Sequence, residues 1–264
     1  MAEIITDAEL VSQYAEKAMK EPEKLVETRA PSASEVELPG GYITLDGVLI
    51  TTAEVRELTG ADEEAIAKAG STAKSLHVLL ERGLVKLGDK EVTRDDIDLL
   101  LSGDRDAILL GIRRVTFGET LDLKLRCPNC NVEQQSDVHL LNDVPFKSLK
   151  DRVNDRNWVV ETKLGKVTLR LPTGSIQKKL MENTQMSVPE VNTILLAGCI
   201  TSIDGEMSIG NAGPLALGMS DRSKIIDSIL ERNPGPRLGE VSKVCKACEE
   251  KIEIPLSLVD LFRL

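Results

Sequence analysis

The sequence predicts an α+β fold with a helical middle region and β-hairpins on either side of it. Three observations predict it. Helix caps and apolar residues at helical spacing crowd the stretch from about residue 60 to 117. Alternating apolar and polar runs, broken by turn formers, precede and follow that stretch. Two hairpin-like segments, LKLRCPNCNVEQQSDVHL (Leu123–Leu140) and EVSKVCKACEEKIEIPL (Glu240–Leu256), each run strand, Cys-x-x-Cys, turn, strand.

Bulk composition narrows the possibilities. The 264 residues suffice for one large domain or two ordinary ones. Hydrophobic residues make up 41% and aromatics only 2%, so the core must be built from Leu, Ile, Val and Ala. A net charge of -10 gives no sequence-wide attraction to phosphate, and the shortage of rings argues against a base-stacking platform. Nucleic acid is therefore not the expected partner. No apolar run reaches the roughly 18 residues of a membrane span. The acidic start MAEIITDAELVSQ resembles no secretory or transit signal, so a cytoplasmic site with reduced thiols is expected.

Along the chain, residues 1–40 read as an appendage, a helix over Ala8–Met19 followed by a polar strap. GYITLDGVLITTAEV (Gly41–Val55) predicts a hairpin turning at Asp46-Gly47. DEEAIAKA and AKSLHVLLER predict helices, with Gly70 and Gly83 in the left-handed position after each. Thr93 to Asp96 forms a capping box ahead of Ile97, Leu100 and Leu101. Ser102 is placed to cap GDRDAILLGIRRV, with Ile108, Leu109, Ile112 and Val115 as its buried stripe. NWVVETKLGKVTLRLPTG (Asn157–Gly174) predicts a second hairpin, turning at Gly165. Helices are expected from Ser175, from Ser187-Val188-Pro189-Glu190, and over SDRSKIIDSILER, with Ile225, Ile226, Ile229 and Leu230 inward. The domain expectation is a strap (1–40), a hairpin plus helices (41–118), two cysteine hairpins (119–140 and 239–264), and an α+β insertion between them (141–238).

The paired thiols carry the chemistry. Cys127, Cys130, Cys245 and Cys248 supply four thiolates, the ligand set of one tetrahedral structural zinc per chain. Lys124, Arg126, Lys243 and Lys246 lie near enough in sequence to offset the charge of such a centre. The spacing is unusual, because Cys245 follows Cys130 by 115 positions, whereas ordinary zinc ribbons place their pairs ~15–20 residues apart. Two hairpins meeting around an insertion, a split zinc ribbon, accommodate this. Redox thiols would open a helix in a βαβ unit, but strand-like sequence follows both pairs here, and disulfides are the remaining reading. A structural zinc contributes on the order of 10–16 kcal/mol in finger peptides, comparable to the stability of a whole domain. Four sulfurs close the shell, so this ion would hold structure without catalysing.

The remaining candidates are weaker. Cys199 in TILLAGCI reads as a small buried residue. His77 and His139 form no site together. Asp104 and Asp106 complement the positive end of a helix whose last turn carries Arg113 and Arg114. The rival reading makes Asp104, Arg105, Asp106, Arg113 and Arg114 a patch facing a partner. No phosphate loop, zincin motif, nucleophile elbow or dinucleotide fingerprint occurs, so no enzyme and no small-molecule substrate is expected.

The ordered series DLLLSGDRDAILLGIRRVTFGE (Asp98–Glu119), CPNC, VTLRLPTG (Val167–Gly174), ITSIDG (Ile200–Gly205) and CKAC ahead of IPLSLVDLF resembles one family. These are the baseplate hub assembly proteins of T-even-like bacteriophages, which have contractile tails. The resemblance covers roughly residues 40–264. It implies a non-enzymatic part in building the baseplate through contacts with other hub and tail proteins in the host cytoplasm, either as a transient assembly factor or as a component that stays in the virion tail baseplate. It matches the four cysteines to the family's pairs and Asp104, Arg105 and Asp106 to its charged helix start. A zinc-ribbon nucleic-acid or transcription factor is the alternative, and an enzyme with redox thiols a third reading.

Overall fold

The computed structural model describes residues 33–182 and 185–262. The helix expected over Ala8–Met19 lies outside the described residues. The first sheet is a meander of β1 (Ala33–Ile43), β2 (Leu49–Arg56), β3 (Leu84–Leu87) and β4 (Lys90–Glu91), all antiparallel. The expected hairpin forms, with Gly47 at φ 80° in its turn. Its first strand begins earlier than the sequence predicts. Residues 33–40 are no strap: Val36 and Leu38 are buried, and Pro39-Gly40-Gly41 is an irregularity within the strand. Turn formers there serve close packing instead of chain reversal.

Between β2 and β3 lie α1 (Gly60–Ala67) and α2 (Thr72–Gly83). Gly70 takes the expected left-handed conformation, at φ 74°. Gly83 instead ends α2 itself, where an added Cβ would sit 2.5 Å from Ile112 Cδ1. It is glycine because a neighbouring helix passes there. Arg56 grips buried Asp62 with both guanidinium nitrogens, at 2.9 and 3.0 Å, and this pair holds the carboxyl down at about 2. α3 (Arg94–Leu99) opens with the predicted capping box. Burial alone would raise the Asp96 carboxyl, but bonds from Lys90, Thr93 and Tyr42 outweigh it and hold it below the ordinary range.

Helix α4 (Ser102–Phe117) is the axis of the fold. The sequence predicts one buried stripe, yet every residue from Ala107 to Arg113 is buried, because elements pack around most of its circumference. Ser102 does not cap it. Leu101 holds the N-cap position, and the Ser102 hydroxyl bonds Asn233 Oδ1 at 3.0 Å.

Two apolar cores flank α4. The first draws on β1, β2, β3, α2 and α4, and on Val138, Val241, Ile254, Leu261 and Phe262, the last two from α9 (Leu258–Phe262). The second lies under a sheet of order β11-β10-β9-β8, with β8 Asn157–Thr162, β9 Gly165–Arg170, β10 Ile200–Ile203 and β11 Glu206–Met207. Three helices, α5 (Gly174–Glu182), α6 (Val188–Cys199) and α8 (Met219–Arg232), contribute Ile176, Leu196, Ile225 and Ile229 to it, and α7 (Ala212–Ala216) precedes α8. Of the four α8 residues expected inward, Leu230 is exposed. α6 starts where predicted, with Pro189 in its first turn, and a Ser187–Glu190 capping box closes that start. β7 (Phe146–Lys147) pairs with β12 (Gly235–Pro236), bringing the chain after Leu140 beside the chain after α8.

The cores are joined where α4 begins. Four glycines from separate segments meet there. A Cβ on Gly103 would stand 1.7 Å from Pro234 O, one on Gly174 2.1 Å from Arg105 Nη1, and one on Gly40 2.5 Å from Leu101 Cδ1; Gly235 touches Gly103 directly. Backbone bonds of 2.9 Å from Ser102 to Pro172 and from Gly174 to Leu100 tie α4 to the strand end and helix start of the second core. Asp104, fully buried, accepts the Gly40 N–H at 2.7 Å. Burial pushes its carboxyl up to about 6, against the pull of the Gly40 and Gly41 amides and of Arg156 and Arg152.

Two outcomes follow from this junction. Gly103→Ala drives a methyl into a carbonyl, so it should cost about 3 kcal/mol or prevent folding, as read by urea unfolding. Gly60→Ala, with nothing within 4 Å of its Cβ, should be neutral or stabilise by about 0.5 kcal/mol. Unfolded Asp104 titrates near pH 4, about two units below its folded value, so the folded chain holds a proton in that window which the unfolded chain has lost. The stabilising contribution of this group is therefore full below pH ~4 and lost as the pH rises through about 6. Relative to Asp104→Asn, the wild type should lose stability between those limits in urea titrations run at each pH.

Candidate metal centre

Each thiol pair sits at the tip of a hairpin. β5 (Thr120–Arg126) and β6 (Glu133–His139) pair over their full length, from Thr120–His139 to Arg126–Glu133. β13 (Ser242–Val244) and β14 (Lys251–Glu253) form the shorter counterpart. The two tips have one backbone plan. Cys127 N–H donates to Val132 O at 3.0 Å and Asn131 N–H returns to Cys127 O at 3.0 Å; Cys245 N–H donates to Glu250 O at 2.8 Å and Glu249 N–H returns to Cys245 O at 3.0 Å. The residue after each second cysteine, Asn131 and Glu249, is left-handed at φ 60°. Neither is glycine, so both tips accept the same local strain to turn their sulfurs inward.

The four sulfurs lie within 4.8 Å of one another. Cys127 Sγ stands 3.6 Å from Cys248 Sγ, and Cys130 Sγ 3.6 Å from Cys245 Sγ. A tetrahedral ion with sulfur at about 2.3 Å requires sulfurs about 3.8 Å apart. The cluster fits such an ion. Cys127 and Cys245 are buried while Cys130 and Cys248 are partly exposed, so one flank of the cluster faces outward. The Ala247 and Cys248 amides draw the Cys245 thiol down to about 6. The Val132 amide pulls Cys130 the same way, but burial and the crowding of Cys248, Cys127 and Cys245 lift it to about 12. The neighbouring Cys130 and Cys248 thiols favour ionisation of Cys245 while the same contacts oppose it at Cys130, and a cation at their centre would favour the thiolate at all four positions. The all-sulfur donor set suits zinc and also iron.

Side chains that the sequence does not single out brace the two tips. Gln134 accepts the Lys246 N–H at 2.8 Å and donates to Val244 O at 3.4 Å, while Lys246 Nζ reaches Gln135 O at 3.0 Å. Asn129 Nδ2 points at Cys248 Sγ, 3.7 Å away, and Ile252 packs beneath the sulfurs. Of the cations expected beside the cluster, Lys243 pairs with Asp143 at 2.6 Å, and Lys124 and Arg126 are exposed. His139 faces Glu119 at 3.6 Å, outside the cluster.

The charged residues of α4 do not form the partner-facing patch the sequence allowed. Asp104 and Arg105 are fully buried, and Arg113 nearly so. Arg105 lies 3.5 Å from Ile97 O and from His77 Nδ1, and burial there lowers its proton affinity while Asp106 and Asp98 oppose that loss. His77 is itself depressed by burial and by Arg105. Asp106, partly buried, is pushed up to about 6 by burial. Arg113 Nε bonds Leu261 O at 2.8 Å and Nη1 bonds Gly118 O at 3.0 Å, clamping α9 onto α4. Arg114 pairs with Glu119 at 2.8 Å. Polar residues that look solvent-facing on a lone helix are interior because α4 is enclosed. Cys199 is buried as expected, with its thiol pushed up to about 12 by that burial.

A mixed fold closed by an all-cysteine cluster is the class of protein these elements define. The chain belongs to the T4 bacteriophage base plate protein family, whose model matches residues 35–212. That family places it among the structural proteins of the phage tail baseplate. The matched range includes Cys127 and Cys130 and ends before Cys245. The chain matches no curated protein and no solved structure. No helix among the described residues is long and apolar enough to cross a membrane.

Gln134→Ala removes its two bonds to the opposite tip and should lower stability by about 1 kcal/mol. Thermal unfolding checks this, and an unchanged midpoint would mean that Gln134 adds nothing to the join between the hairpins.

Proposed function

We propose that this protein is a non-enzymatic structural or assembly component of the baseplate hub, its fold stapled by one zinc ion per chain on Cys127, Cys130, Cys245 and Cys248. The observation that carries the metal reading is the convergence of two sequence-distant thiol pairs into one cluster of tetrahedral spacing. The two hairpins act as the halves of a split zinc ribbon, and residues 141–238 are an insertion between them. Family membership supports contacts with other hub and tail proteins and a place in the virion tail. In this reading the sulfurs fill every coordination position, so the ion holds hairpins together and activates no water.

Metal analysis of purified protein should give about one zinc per chain, as a single shell of four thiolates requires. Cys245→Ser should abolish it and lower the unfolding midpoint, because the remaining three thiols leave the shell open. Full zinc retention by that variant would overturn the shared site, and iron in place of zinc would overturn the choice of ion. Proteomic analysis of purified tails tests the baseplate role separately, since the protein should be found in particles or in their assembly intermediates.

A further inference from the structure

Strand β1 is at the end of its sheet. Its inner edge pairs with β2. Its outer edge is covered at one end only, where Leu149 N–H donates to Pro39 O at 3.0 Å and the Arg156 guanidinium bonds the carbonyls of Gly40 and Gly41. Over residues 33–38 no strand among the described residues pairs with that edge. Beside it runs a groove of about 270 Å³, lined by Ala107, Leu110, Gly111 and Arg114 of α4 and by Leu141 and Phe146, Arg114 already holding Glu119. Leu141 and Phe146 are each 49% exposed.

From this arrangement we infer that the groove receives an extended segment of a neighbouring tail protein, added to β1 as a further strand and alternating apolar and basic residues. The pattern follows from β1 itself. Its residues alternate in burial, with Val36 and Leu38 inward and Glu35 and Glu37 outward. A strand laid along this edge repeats that alternation, with one set of side chains over α4, Leu141 and Phe146 and the other beside the two carboxylates. Glu37 already shares Arg152, whereas Glu35 makes no ion pair among the described residues. A lysine or arginine beside Glu35 is the complementary charge. Solitary edges are commonly guarded by charge and proline, and Glu35, Glu37 and Pro39 would provide that guard. The guard does not explain two large apolar side chains held half-exposed in the groove, which an added strand would cover.

The inference rests on the baseplate reading, and the experiment separates the two. Amide hydrogen exchange is measured on the free chain and on purified tail baseplates. In baseplates that contain the chain, amides of residues 33–38 should slow about tenfold or more. Unchanged exchange there overturns the inference alone; baseplates that lack the chain overturn the baseplate reading and the inference with it. Competition between wild type and variant during assembly provides a second measurement. Glu35→Lys and Phe146→Asp, both at exposed side chains, should each lower incorporation about tenfold, because like charge or a buried carboxylate meets the partner. Glu253→Lys, on distant β14, should incorporate normally. Equal incorporation of all three overturns the proposal, as does protection of the same amides in a dimer of the free chain, which would assign the edge to a second copy.

Discussion

The described structure turns on the contact of backbone with backbone at the start of α4. Two apolar cores of unequal make-up would drift apart if they met only through side chains. They are held because Gly40, Gly103, Gly174 and Gly235 let four chain segments approach within a distance no Cβ permits. Such proximity creates a polar problem, since amides and carbonyls at the crossing lose water. Asp104 solves part of it by accepting the Gly40 amide, and Ser102 and Gly174 solve more through bonds to Pro172 and Leu100. The solution has its own cost, a carboxylate in the dry centre, which explains why its proton affinity rises. Arg105, equally buried, leaves its Nε without a hydrogen-bond partner among the described residues.

The thiol cluster works on a different scale. The α4 junction fixes neighbours, whereas the sulfurs join hairpins whose cysteines are 115 to 121 positions apart. Holding such distant segments without a cross-link carries a large entropic cost, because the chain between them is long. Both hairpins also lend side chains to the first core, Leu121 and Val138 from one and Val241 and Ile254 from the stretch around the other. The cluster thus closes a core already begun by the sheet and α4, and the second core hangs between its two halves. In the metal-bound form proposed above, the glycine contacts and the sulfur ligands would share the work of holding the segments together.

Much of this was legible in the residues. The capping box of α3, the proline start of α6, the Gly47 and Gly165 hairpins and the paired cysteines are local signals, and each formed where the pattern placed it. The departures share one cause. Residues 33–40 look like a strap because Pro39, Gly40 and Gly41 are turn formers; Gly83 looks like a helix cap; Asp104, Arg105 and Arg113 look like a solvent-facing helix end. In each case a second element, invisible from the local sequence, occupies the space that the local reading assigned to solvent. Gln134 and Asn129 gave no signal at all, since their partners lie 110 to 119 positions away.

Sequence alone determined where most of the described helices and hairpins form, that the core is aliphatic, and that four thiols are available as ligands, because each of these depends on residue type and near-neighbour spacing. Only tertiary structure decided that α4 is enclosed, that its charges are interior, and that the thiols of two remote hairpins come within one coordination sphere. Those outcomes depend on how far apart segments end once the chain is packed, and no periodicity encodes that distance.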